Sequence, residues 1–260
     1  MSEKNIAKKY DEVESKTRSL NGLHLKTIAF IAFCWSFFQL WYASPFPFMV
    51  GFGVFIDVPA RAIHLSFAFL IAFLSYPLIK KDKNKNFGIL DIIIALVAFA
   101  CAMYIVIFYE KIVYSNGILW KLPITLFGTN YNFPIEMIIG IIAVTLLLEA
   151  TRRTIGLPLV IVAIVFLAYS VFGQSMPDLI SHQGLSLKRL VGYHWFGGEA
   201  IFGIPISVSV SFVFLFVLFG SMLDYAGGGK YFLNLAIALV GKFRGGPAKA
   251  SILASGLTGM

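Results

Sequence analysis

The sequence predicts an all-α polytopic membrane protein of about six transmembrane helices, followed by the start of a re-entrant helical hairpin. Three observations predict this. Of the 260 residues, 58% are hydrophobic and 13% charged, about half the charged share of a soluble domain, and the mean hydropathy is +0.83. The apolar residues gather into runs that, with their flanks, can cross about 30 Å of hydrocarbon. After the last such run come glycine clusters and a segment of small residues.

Taken in order, residues 1–26 are a polar, mixed-charge tail, expected to be a frayed or amphipathic cytoplasmic segment. No cleavable signal peptide is expected, because the start is charged and lacks an apolar stretch. The first apolar run covers about 27–43 and passes into WYASPFPF, an aromatic and proline belt suited to the membrane interface. The second covers about 60–79, the third 89–108 and the fourth 133–148. The fifth, 155–172, tolerates Pro158 in its first turn. The sixth covers about 201–223, with Pro205 in its opening turn. The longer loops, about 109–132 and 173–200, carry Tyr109, Tyr114, Trp120, Tyr131, His182, Tyr193, His194 and Trp195, and are expected to lie along the outer interface.

Basic residues set the orientation. The tail, loop 80–86, the turn 149–154 and segment 224–249 together hold 16 Lys and Arg, against 5 on the opposite side. This asymmetry places the N-terminus in the cytoplasm. It also accounts for the net charge of +8 without nucleic acid, since no basic face interleaved with aromatics exists outside the tails. Cys34 and Cys101 lie inside apolar runs and read as small hydrophobes.

Ionisable residues in or near spans are the default functional candidates. Asp91, at the cytoplasmic start of span three, reads first as a carboxylate favoured by a helix N-terminus, and Glu136 likewise. Arg61 and His64 in PARAIH read as interface anchors that snorkel, rather than as a proton relay. Glu149, Arg152 and Arg153 in LEATRR have i, i+3 and i+4 spacing. They form either a topological anchor with an internal ion pair or a docking point between two membrane modules.

No enzyme constellation is present. His24, His64, His182 and His194 show no metal-ligand spacing. GGGK at 227–230 is no phosphate loop, because Asp224 stands at the first glycine position and no Ser or Thr follows Lys230. At the C-terminal end, Gly227–Gly229 cap span six. Residues 231–240 form a helix too short to span, and Gly245, Gly246, Pro247 and Lys249 turn the chain, with Lys242 and Arg244 at the headgroups. The segment AKASILASGLTGM allows close helix packing. Alternatively it is a broken or re-entrant helix whose carbonyls and hydroxyls hold a cation, through Ser251, Ser255, Gly256, Thr258 and Gly259.

Several stretches carry a family resemblance: RAIHL at 61–65, LEATRR-x-x-G at 148–156 and PDLISHQG at 177–184. IFGIPISVSVSFVFLFVLFGSMLD at 201–224 and AGGGKYFLNLAIALVGKFRGGPAKASILASGLTG at 226–259 are the most specific. The chain resembles the fused permease subunit of tripartite ATP-independent periplasmic (TRAP) transporters, most closely the type that partners TAXI solute receptors. The resemblance implies a four-helix small-subunit-like scaffold over 27–152 and the start of a large-subunit-like transport domain over 153–260. It implies an inner-membrane permease component that works by an elevator-type motion, with sodium as coupling ion and no other cofactor. A periplasmic or lipid-anchored receptor delivers a small organic solute of carboxylate type, and the remaining partner is membrane lipid. In that family the GGPAK turn leads to a hairpin whose Ser-Gly-Ser-type tip contributes sodium ligands. This sequence reaches Met260 before such a tip, so the chain is expected to be incomplete and inactive alone. The alternative is a non-transporting membrane scaffold that binds a partner protein.

Overall fold

The structure, a computed structural model, describes residues 17, 18, 20–55, 57–78, 87–115, 121–126, 129–242 and 245–258, with only the backbone described at 122–133 and 257–258. Helix α1 (Leu23–Ala43) is followed by the short α2 (Phe46–Val50), then α3 (Val58–Ser75) and α4 (Ile89–Tyr114). Strands β1 (Lys121–Leu126) and β2 (Thr129–Pro134) precede α5 (Ile135–Thr154) and α6 (Leu157–Phe172). A short α7 (Leu187–Val191) runs into a π turn at Gly192–Phe196. One long helical run then comprises α8 (Ile204–Val208), a π turn at Ser209–Val213, and α9 (Phe214–Tyr225). Helices α10 (Gly228–Val240) and α11 (Gly246–Thr258) end the described chain.

Five of the described helices are long and apolar enough to cross a membrane: α1, α3, α4, α6 extended to Ser175, and the run Ile204–Tyr225. The chain is a multi-pass membrane protein. Helix α5 has 20 residues, about 30 Å at 1.5 Å per residue, but Glu136 sits in its first turn, Arg152 and Arg153 in its last, and Glu149 in the turn before. Those charges, not its length, separate it from the other five.

The all-α architecture carries one local exception. The loop after α4 contains an antiparallel hairpin in which Lys121 pairs with Pro134 and Leu126 with Thr129. Thr, Ile, Tyr and Phe at 124, 125, 129, 131 and 133 suit strands, and pairing satisfies backbone groups that an interfacial loop would leave to water.

The contacts divide the chain into two compact units, one up to Val210 and one from Ser211. In the first, α3 and α4 pack most extensively. Ala62, Ala95, Ala98, Ala102 and Ala143 are buried there beside Phe69, Phe73 and Ile105. Alanines let helix backbones approach, which matters where lipid is as apolar as leucine and packing drives association. Helix α1 buries only Gln39 and presents most of its apolar side chains outward.

Loop 173–203 does not simply line the interface. Trp195 and Phe202 are fully buried in the bundle core, their ring centroids 5.3 Å apart. Arg61 anchors this insertion by donating from Nη1 to the Phe202 carbonyl at 2.6 Å. Its guanidinium thereby holds a loop, and does not snorkel freely. In the second unit, α10 and α11 pack on each other through Ala236, Ala250 and Ala254, flanked by Val240. Gly227 adopts φ 86° where α9 gives way to α10, a left-handed conformation that glycine takes at little cost.

Candidate functional site

The LEATRR stretch nucleates a network of charges. At the end of α5, Arg152 donates from Nε and Nη2 to the two oxygens of Glu149 at 2.7 and 2.8 Å. Arg153 Nε donates to Glu149 Oε1 at 2.7 Å. These are the i, i+3 and i+4 pairs expected from the sequence. The network then leaves the helix. Arg153 Nη1 donates to Asp91 Oδ1 at 2.7 Å and to the Tyr76 carbonyl at 3.1 Å, and the guanidinium lies over the Phe73 ring. The second oxygen of Asp91 accepts from Arg18 Nη2. The Arg18 backbone N–H donates to the Ser75 carbonyl at 2.9 Å.

Three helix ends meet here, and their dipoles explain the arrangement. Asp91 lies in the first turn of α4, where partial positive charge gathers. Arg152 and Arg153 lie in the last turn of α5, and Arg153 also reaches the carbonyl just past α3. The side chains of Arg18, Arg153 and Asp91 are at most 4% exposed. Asp91 is therefore more than a carboxylate at a helix N-terminus: it is shared by two arginines far away in sequence. Arg18 was missed as a partner because it lies in a polar tail. The available signal was Asp91 itself, a charge inside an apolar run that needs a counter-ion.

A second polar cluster lies inside the bundle. His64 is buried. Its Nδ1 accepts from Trp35 Nε1 at 3.1 Å and faces the Gln39 amide nitrogen. Its Nε2 is 3.2 Å from Ser209 Oγ. With two donors on Nδ1, the ring proton belongs on Nε2, which donates to the serine. His64 thus ties α1 to α3 and to the first residue of the π turn at 209. It is neither an exposed interface anchor nor a lone histidine. Glu136 accepts from the Tyr104 hydroxyl at 3.0 Å, so this carboxylate links α5 to α4.

His182 in PDLISHQG organises its own loop. Its Nε2 pairs with the Tyr169 carbonyl at 3.0 Å, and the Gly184 N–H donates to its Nδ1 at 3.1 Å. Tyr169 returns a hydroxyl bond to the Ile180 carbonyl at 2.7 Å. A side chain at Gly173 would occupy the imidazole's position. His194 Nδ1 donates to the Leu190 carbonyl at 2.9 Å within its own turn. Among the described residues no group of three or more His, Cys, Asp and Glu side chains could hold a metal.

The hairpin candidates separate into two sets. Gly245 takes φ 74° in the turn, Gly246 is buried, and Pro247 and Lys249 are exposed in the first turn of α11. A side chain on Gly246 would collide with the Gly241 carbonyl, so this approach of α10 and α11 requires glycine. Ser251, Ser255 and Gly256 lie exposed on α11, away from the buried Ala250 and Ala254. The Ser251 hydroxyl donates to its own helix at the Ala248 carbonyl, 2.8 Å away. Thr258 ends α11, and Gly259 and Arg244 lie outside the described residues. The described part of this segment is a continuous helix whose alanine face packs and whose serine and glycine face is open.

Residues 142–260 match the family model of the Tripartite ATP-independent periplasmic transporter, DctM component. This C-terminal stretch is thus similar to a permease component of such a transporter. The DctM-like stretch begins within α5, ahead of LEATRR, and takes in His182, the long helix 204–225 and the α10–α11 pair. Permeases of this type generally work with a periplasmic solute receptor. No curated protein and no solved structure matches the chain.

Proposed function

We propose that this chain is the membrane permease component of a sodium-coupled, receptor-dependent secondary transporter that imports a small organic solute of carboxylate type. The observation that carries the reading is the DctM match over residues 142–260. Within it lies a tight pair of short helices, α10 and α11, joined by a glycine–proline turn. Neither helix, at 13 residues each, crosses about 30 Å of hydrocarbon. Short, interrupted helices at membrane depth are how secondary transporters bring bare backbone to an ion or solute. The open face of Ser251, Ser255 and Gly256, with Thr258 and Gly259 beyond, is the surface assigned to sodium and solute in this reading. Gly245, Gly246, Pro247 and Lys249 orient it.

The same reading takes the small-subunit-like and transport-like parts as fused in one chain of the TAXI-associated type. It places the chain in the inner membrane with a cytoplasmic N-terminus, and makes the solute-binding part the moving one. The test is uptake by proteoliposomes that hold the chain, its receptor and any further permease helices expressed with it. Accumulation of a labelled organic anion should require both the receptor and an inward sodium gradient. Accumulation indifferent to both would overturn the reading.

A further inference from the structure

We propose that Asp91, beside Gly88, forms a socket for a guanidinium group, that its occupant is Arg18, whose backbone N–H is held by the Ser75 carbonyl, and that the occupancy is reversible. The network at the ends of α3, α4 and α5 contains three guanidinium groups and two carboxylates. Without Arg18 the account balances: Asp91 keeps Arg153, and Glu149 keeps Arg152 and Arg153. Withdrawal of Arg18 therefore leaves no buried carboxylate without a cation, the outcome that makes breaking a buried pair so costly.

Holding Arg18 in place has its own cost. Its side chain is 1% exposed, yet Nε and Nη1 have no hydrogen-bond partner among the described residues. Buried donors left unmade are unfavourable, and a net positive charge is buried with them. The gain is one charge-assisted bond to Asp91 and one backbone bond to Ser75. Opposed terms of this kind make the docked and released tail two accessible states.

Arg153 is different in kind. It serves Glu149, Asp91 and Tyr76 at once and sits on a helix. Arg18 reaches the socket from a non-helical position before α1, where the Leu20 N–H donates to its carbonyl. The socket also has a shape requirement. A Cβ on Gly88 would stand 3.0 Å from Asp91 Oδ2 and 3.6 Å from Arg18 Nη2, crowding the position that the guanidinium takes. The ligand class is thus a guanidinium group.

The test uses the full chain in detergent or nanodiscs, with hydrogen exchange and thermal unfolding as readouts. In the wild type, the Arg18 amide should exchange at least about tenfold faster than amides in the middle of α3, reporting release of the tail without unfolding of the bundle. Arg18→Ala should fold with its bundle amides as protected as in the wild type. Its Tm should then rise in millimolar guanidinium chloride relative to equal sodium chloride. The wild type, whose socket is filled, should show no such difference, and neither should Arg18→Ala combined with Gly88→Val. Arg18 exchange as slow as the α3 core would overturn the proposal, as would failure of Arg18→Ala to fold. So would a guanidinium effect that is absent from Arg18→Ala or equal in all three proteins.

Discussion

Arg153 Nη1 and Asp91 Oδ1 lie 2.7 Å apart although 62 positions separate them in the chain. Both side chains are almost wholly withdrawn from solvent. The pair joins the last turn of α5 to the first turn of α4, and through the Tyr76 carbonyl to the end of α3. Arg153→Gln leaves Asp91 with Arg18 alone and Glu149 with Arg152 alone, and loses the charge-assisted bonds that join α5 to α4, so it should lower stability by about 1–3 kcal/mol. Arg152→Gln removes a partner that is 32% exposed and serves Glu149 at the surface, so it should cost under about 1 kcal/mol. Denaturation of the purified proteins in mixed micelles would measure both. Equal losses would contradict this division of labour.

The packing of α5 against α7 depends on one missing methyl. Gly140 is buried, and a Cβ placed there would overlap Val191 Cγ1. Gly140→Ala should therefore destabilise by about 1–3 kcal/mol through overpacking. Adding Val191→Ala should recover part of the loss, so that the double variant is more stable than the two single effects predict. Simple additivity in unfolding midpoints would rule out the contact.

His64 holds three helices by its two nitrogens. His64→Ala leaves the buried Gln39 amide without this acceptor, which costs about 1–3 kcal/mol, and the cavity left by the ring adds to it. A loss of more than about 2 kcal/mol is expected, together with faster hydrogen exchange around Ser209. An unchanged stability would show that the cluster is incidental.

In the second unit the two faces of α11 should respond in opposite ways. Ala250 is completely buried, and Ala250→Leu should disrupt the α10–α11 contact at a cost of about 1–3 kcal/mol. Ser251 is exposed and bonded within its own helix, so Ser251→Ala should change stability by less than about 0.5 kcal/mol. Protease sensitivity of the turn around Gly245 would report the first change and stay silent on the second. Heightened cleavage in Ser251→Ala would place the packing face elsewhere.

Orientation is open to a direct check. Reporters fused at Lys83 and Lys242 should read cytoplasmic, and those at Lys121 and Lys188 exterior, following the asymmetry of Lys and Arg. The reverse pattern would defeat the assignment.

Much of this was legible in the sequence because bilayer insertion is governed by local quantities. The apolar runs at 27–43, 60–79, 89–108, 155–172 and 201–223 each correspond to a helix long and apolar enough to span. The glycine cluster at 227–229 and the GGP turn likewise mark where helices α10 and α11 begin. The i, i+3 and i+4 spacing of Glu149, Arg152 and Arg153 foretold their pairing, since a helix fixes which neighbours meet. The hairpin at 121–134 was less legible. It lies between spans, where hydropathy is uninformative and strand pairing depends on a partner several residues away.

What the sequence determined by itself is the membrane class, the run of helices, the charge asymmetry and the ion pair within one helix, all consequences of residues within a few turns of each other. What only the tertiary structure decided is which distant groups share a site. Arg18 and Arg153 converge on Asp91, His64 meets Gln39, Trp35 and Ser209, and Trp195 leaves the interface for the core. Each of these follows from removing a polar or aromatic group from water or lipid, which obliges it to find a partner. Helix packing alone determines which partner lies within reach.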